Sequence, residues 1–280
     1  MPFVYGGILW SLAATAGLVA IAEHLRRGWR AEETLTQQLA HHTQGPLAAL
    51  LPITAMLLGS GLHRTSHAAG TVLTLLALVV AACYGMWIVN HWARGNVALD
   101  AVHGGYYVPV SAAALVGALT CAVVGFPRLA AGSLVVGVAA WVLTTAAIFL
   151  RLARRPSLPD SLVPTLAILV APPAIGSLAW LGISDGRADG VFVAMSAVAA
   201  LMLLVQLWLL PRYLTLPFSV GHWSFTFPAA SLAGLAMTWM RLEQPPGWRG
   251  ITMGIALATT ALIGLIAVKS ILLAGRPGEL

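Results

Sequence analysis

The sequence predicts an all-α polytopic membrane protein, built from helical hairpins within a single transmembrane domain spanning residues 1–280. Three observations predict it. Hydrophobic residues make up 59% of the chain and charged residues only 9%, whereas a soluble domain carries about a quarter charged residues. Apolar runs of about 20 residues, each long enough to cross the hydrocarbon layer, recur from one end to the other. The nine acidic residues all fall at the ends of these runs or between them: Glu23, Glu32, Glu33, Asp100, Asp160, Asp185, Asp189, Glu243 and Glu279.

Taken in order, nine spans are expected, near residues 4–23, 46–62, 70–92, 103–124, 129–150, 162–182, 190–210, 218–239 and 250–273. Connections are short except for the polar stretch from Glu23 to Gln44, which reads as an exposed helical extension or loop. No cleavable signal peptide is expected, because the first run continues as an ordinary span without a basic lead and small-residue cleavage site. The net charge of +6 does not imply nucleic-acid binding. The basic residues sit in short loops, where they set orientation.

One set of connections, with the C-terminus, holds ten of them: Arg26, Arg27, Arg30, Arg94, Arg151, Arg154, Arg155, Arg212, Lys269 and Arg276. The opposite side holds five: Arg64, Arg128, Arg187, Arg241 and Arg249. The richer side is expected to be cytoplasmic. That places the C-terminus inside and, with nine spans, the N-terminus outside a cell inner membrane. Cys83 and Cys121 both lie within apolar runs and read as packing residues rather than a disulfide.

The chain contains an internal repeat. Pro52, Pro109, Pro173 and Pro228 each lie within an apolar span, at separations of 57, 64 and 55 residues. Each proline-bearing span is followed by a smoother one, so the unit is a hairpin of one proline helix and one regular helix. The first span lacks a proline and looks like the regular partner of a fifth proline helix ahead of Met1. An N-terminus outside, with no signal to export it, points the same way.

The stretch PFSVGHWSFTFPAASLAGLAMTW, residues 217–239, concentrates the features of interest. Trp223, Phe225 and Phe227 crowd its first half, Pro228 follows, and the second half is rich in Ala, Ser and Gly. Proline removes a backbone donor, so the helix should kink or loosen there and face protein or water rather than lipid. Bulky rings beside a small-residue face suit a pore, or equally a tight helix interface with an aromatic belt.

No acidic residue lies at mid-membrane, as a proton-coupled carrier often requires. An anion path gains from that absence, because carboxylates would repel the permeant ion. Thr54, Ser111, Ser177, Ser224, Thr226 and Ser231 are candidates to solvate an anion, or to make ordinary interhelical hydrogen bonds. Eight histidines, His24, His41, His42, His63, His67, His91, His103 and His222, lie in loops or near span ends, not paired at depth as a haem or metal site needs. No phosphate-binding loop or nucleophile motif stands out, so no catalytic residue, metal site, cofactor or enzymatic activity is expected.

These residues resemble a known family. The runs LPDSLVPTLAILVAPPAIGSLAWLGI (158–183), PFSVGHWSFTFPAASLAGLA (217–236) and HHTQGPLAALLPITAML (41–57) are similar, in order, to signatures of the tellurite-resistance/C4-dicarboxylate transporter family. That family includes the plant slow-anion channels and the malic-acid transporters. The resemblance implies five helical hairpins around a pseudo-fivefold axis, with proline-kinked inner helices lining a pore. It also implies homotrimers in a lipid bilayer, and permeation of small inorganic anions such as chloride or nitrate, or of dicarboxylates such as malate. The resemblance further implies that a phenylalanine of the ninth helix occludes the pore. By position in the W-x-F-T-F-P core it corresponds to Phe227, with Phe225 the alternative.

The family's first helix has no counterpart here, which favours a misassigned start. An inactive truncated member is the other reading of that departure. A membrane-embedded haem or redox protein using the histidines is the alternative from a different class.

Overall fold

A computed structural model of the chain describes residues 2–30, 34–42 and 44–274. The fold is 84% helical, without strands among the described residues. Among the described residues ten α-helices follow one another: α1 (Pro2–Arg30), α2 (Leu35–Ala40), α3 (Leu50–Leu62), α4 (His67–Ala93), α5 (Ala113–Val123), α6 (Pro127–Arg154), α7 (Ala171–Ile183), α8 (Gly190–Thr215), α9 (Thr226–Glu243) and α10 (Trp248–Ala274). The short α2 lies within the expected polar extension and opens on a capping box, in which Thr34 and Gln37 bond each other's backbone N–H.

Among the described residues, seven of the nine expected spans are long and apolar enough to cross a membrane: 45–62, 67–93, 104–123, 127–154, 163–183, 190–215 and 248–273. The other two are the helices α1 and α9. In α1 the described apolar stretch is Trp10–Glu23. In α9 and the turn before it, Pro228, His222 and several Ser and Thr residues dilute the apolar content.

The proline-bearing and smooth spans differ in their backbones. The smooth helices α4, α6, α8 and α10 run 26 to 28 residues without a break in α geometry. Each proline-bearing span is composite. Gly45–Ala49 is a 3₁₀ turn that becomes α3, Val163–Val170 is a 3₁₀ segment that becomes α7, and Val220–Phe225 is a 3₁₀ segment that becomes α9. In the remaining repeat, a 3₁₀ turn at Gly104–Tyr107 and a π turn at Val108–Ala112 lead into α5.

Pro52, Pro173 and Pro228 are each the third residue of their α segment, and Pro109 lies in the π turn. A first-turn residue has no intrahelical acceptor for its N–H, so proline loses little there. The loosening expected at each proline therefore takes the form of a change of helix type at the start of the α segment.

The chain forms two compact units, Met1–Ala101 with Val108–Ala140, and Val102–Tyr107 with Trp141–Leu280. In the first, α3 packs on α4 and α5, and α1 packs on α3. Glycine is required where α3 and α4 cross. A Cβ on Gly70 would overlap the backbone of His63 and the Gly59 carbonyl, and one on Gly59 would meet the Thr74 hydroxyl.

In the second unit, α7 packs on α8 and α9, and α9 on α10. Its core joins Ala174, Leu181, Phe192, Ala199 and Leu235, with the Phe192 ring 5.0 Å from Trp239. Asp189 caps α8, accepting from the N–H groups of Val191 and Phe192 at 3.0 and 3.2 Å and from the Trp180 indole at 2.7 Å.

Burial follows the repeat in three of the four hairpins. Of the most apolar 18 residues, 72% are buried in 104–123, 72% in 163–183 and 39% in 45–62, against 28, 17, 11 and 6% in α4, α6, α8 and α10. The fourth proline-bearing helix, α9, buries only Pro228, Ser231, Ala233 and Leu235. The smooth helices turn large apolar side chains outward, among them Leu76, Val135, Leu143, Leu204, Leu257 and Ile271. Such a surface is stable against lipid, not water.

Candidate functional site

A 3₁₀ segment leaves backbone carbonyls poorly aligned, and hydrocarbon cannot solvate them. Each composite span receives a polar side chain from the smooth helix of its own hairpin. The Tyr84 hydroxyl on α4 donates to the Gly45 carbonyl. Thr145 on α6 bonds the Tyr107 hydroxyl at 2.9 Å. Gln206 on α8 donates to the Leu166 carbonyl at 3.3 Å. Ser270 on α10 accepts from the Trp223 indole at 2.9 Å.

The smooth-helix partners 84, 145, 206 and 270 are 61, 61 and 64 residues apart, and their targets 45, 107, 166 and 223 are 62, 59 and 57 apart. The hairpin repeat thus carries a repeated tie. Proline spacing revealed the hairpin but missed the tie, because its residue types differ from copy to copy. Spacing alone was the signal.

The second unit adds links between composite spans. The Gly104 N–H donates to Thr165 at 3.1 Å, and the Thr165 hydroxyl donates to Leu162 O at 2.6 Å. A Cβ on Gly104 would overlap the Thr165 carbonyl, so that approach needs glycine. Gln206 also accepts from the Tyr213 hydroxyl at 2.6 Å, beside an apolar cavity of about 70 Å³ lined in part by Tyr107, Ile148 and Leu166.

Pro52, Pro109, Pro173 and Pro228 are all buried. Four of the six candidate solvating groups spend their single hydroxyl proton on a backbone carbonyl. Ser111 donates to Gly137 at 3.2 Å, Ser177 to Pro173 at 2.9 Å, Thr226 to Trp223 at 2.8 Å and Ser231 to Phe227 at 2.7 Å. In that rotamer they turn lone pairs, not protons, to any other ligand. Thr54 is half-buried, with its methyl group beside Gly17 of α1, and Ser224 is half-buried in the 3₁₀ segment before α9.

The two candidate phenylalanines differ in surroundings. Phe225 stands edge-on to Tyr213 at 4.9 Å and 5.9 Å from His222, which in turn lies 4.9 Å from Phe218. It is built into an aromatic cluster. Phe227 is half-buried and shares no ring contact among the described residues.

His63 and His67 bond each other through their ring nitrogens at 3.1 Å, and His63 also contacts the Thr71 hydroxyl. No group of three metal-ligating side chains occurs among the described residues. Cys121 is buried and Cys83 exposed, both as free thiols. The side chain of His24 and the acidic Glu32, Glu33 and Glu279 lie outside the described residues.

Arg151, expected among the loop charges, lies instead within the last turn of α6, only 3% exposed, and its Nε and Nη1 have no protein acceptor. Length and periodicity alone could not separate it from its exposed neighbours Arg154 and Arg155.

Comparison with known proteins supplies the family. Residues 2–271 match the voltage-dependent anion channel (SLAC1) family. The tellurite resistance protein TehA homolog of Haemophilus influenzae is 26% identical over 224 residues, covering 80% of this chain and 67% of that protein. The guard cell S-type anion channel SLAC1 of Arabidopsis thaliana is 26% identical over 159 residues, covering 56% of this chain and 28% of that protein. The S-type anion channel SLAH2 of the same plant is 24% identical over 137 residues, covering 48% and 25% respectively. With a match across nearly its whole length, and with hairpins of composite and continuous helices, this multi-pass membrane protein belongs to the voltage-dependent anion channel family, whose members are channels and transporters rather than enzymes.

Proposed function

We propose that the chain acts as one transmembrane domain that passes small inorganic anions or C4-dicarboxylates across a cell inner membrane. The pathway runs along the composite spans marked by Pro52, Pro109, Pro173 and Pro228. One observation carries this reading: three of the four composite spans are more buried than any of the smooth helices, which face outward. A channel needs that division, with irregular backbone on the protein side and continuous α-helix toward lipid. The absence of carboxylates from the span interiors suits an anion.

Phe227 is the gate in this reading, and Phe225 the packing residue behind it. An apolar constriction stops an ion that cannot shed its water without compensation. A ring without aromatic neighbours can leave by a rotamer change. Thr54 and Ser224 solvate the anion as they stand. Ser111, Ser177, Thr226 and Ser231 join only by releasing their backbone carbonyls. The protein assembles as a homotrimer with its C-terminus in the cytoplasm. Anion flux into liposomes, measured for the wild type and Phe227→Ala, tests the proposal. Higher flux from a normally folded Phe227→Ala is expected, and no gain in flux would remove Phe227 as the gate.

A further inference from the structure

Arg151 stands apart from the other basic residues. It is 3% exposed, at the C-terminal turn of α6, and neither Nε nor Nη1 meets a protein acceptor. Buried guanidinium donors without an acceptor are among the costlier arrangements a protein can hold. The negative end of the helix dipole offsets only a fraction of that. The acidic residue next along the chain, Asp160, is already engaged by Arg212 at 2.7 Å. The neighbours Arg154 and Arg155 add positive charge at the same helix end.

We propose that Arg151 binds a small anion. The ligand class is a planar oxyanion, nitrate or a carboxylate, whose oxygens match the flat N–H donors of a guanidinium. The near-complete burial of the side chain favours a small free anion over a phospholipid headgroup, which must bring its glycerol and chains along. The proposal deepens the anion-pathway reading. It rests on that reading for what the site serves, while the binding itself stands on the geometry of Arg151.

The test uses the purified full-length chain in neutral detergent, titrated with nitrate at constant ionic strength held by a bulky organic sulfonate. Thermal unfolding is followed by tryptophan fluorescence. The wild type is expected to gain stability in a saturable manner. Arg151→Gln should raise the half-saturating nitrate concentration at least about tenfold, with Arg151→Lys in between. No saturable gain in the wild type, or an unchanged half-saturation in Arg151→Gln, overturns the proposal. If Arg151→Gln does not fold, the same half-saturation in Arg151→Lys as in the wild type overturns it. A gain that depends on Arg151 but appears only with phosphatidylglycerol, and not with nitrate, assigns the site to a lipid headgroup and also overturns it. Liposome flux run in parallel separates the two readings. Flux without Arg151-dependent binding removes this site and keeps the channel, and binding without flux does the reverse.

Discussion

Gln206 of α8 donates to the Leu166 carbonyl at 3.3 Å while accepting from the Tyr213 hydroxyl at 2.6 Å. One amide thus ties the irregular half of a composite span to its continuous partner. Tyr84 does the same for Gly45 in the first hairpin. Gln206→Leu leaves a part-buried carbonyl without its donor, and Tyr84→Phe does likewise. Each should lower stability by about 1–3 kcal/mol. Unfolding midpoints in detergent check this. Unchanged midpoints would show that the carbonyls find other partners.

The α3–α4 crossing predicts a steric outcome. Gly70→Ala places a methyl group against the His63 backbone, which cannot move aside as a flexible side chain can. Overpacking of this kind costs about 1–3 kcal/mol, sometimes more. Gly132→Ala on α6, where a Cβ meets nothing within 4 Å, is the matched control and should express normally. Comparing the monodisperse yield of the two variants is sufficient.

Phe225 and Phe227 should respond differently to truncation. Phe225→Ala removes a ring packed on Tyr213. A full core deletion costs about 3–5 kcal/mol, so this half-buried ring should cost about 2 kcal/mol. It should lower expression without raising flux. The opposite pattern, higher flux from Phe225→Ala and poor folding of Phe227→Ala, would exchange the two roles.

Asp189 predicts a pH dependence. Its carboxyl is held below the ordinary carboxylate range, chiefly by the Trp180 indole N–H and further by the Phe192 and Val191 amides and the Arg187 charge, against a smaller opposing effect of burial. A carboxyl lowered in the folded state contributes its stability above its unfolded value and loses it as pH falls through the folded value. Asp189→Ala should therefore melt below the wild type at neutral pH; the gap should begin to shrink as pH falls below about 4, the ordinary carboxylate value, and close only below the lowered folded value. A gap independent of pH would mean the carboxylate is not the active cap.

Orientation follows from the arginine asymmetry. Cysteines placed at Arg26 and Arg155 should both resist impermeant thiol reagents applied to the periplasmic face of intact cells. Ready labelling at both positions would invert the topology.

Composition and spacing were enough for much of this protein. Low charge and repeated apolar runs require membrane helices, since hydrocarbon admits few other arrangements. Four spaced prolines marked which helix of each hairpin departs from regular α geometry, because the missing N–H is a local covalent property. The runs 41–57, 158–183 and 217–236 together carried the family resemblance. Those inferences depend on chemistry that each residue has wherever it lies.

What only the tertiary structure decided depends on neighbours. A tyrosine and a glutamine donate to backbone carbonyls, a threonine and a serine bond a tyrosine and a tryptophan side chain, and nothing in their identities links the four until Gly45, Leu166, Tyr107 and Trp223 are seen opposite. Ser231 and Ser177 look like free hydroxyls in the sequence, yet each proton goes to a carbonyl one helical turn back. Arg151 reads as one of three arginines within a five-residue run. Only the packing around its turn of α6 buries it and leaves its donors unmatched, since burial belongs to the fold and not to the residue.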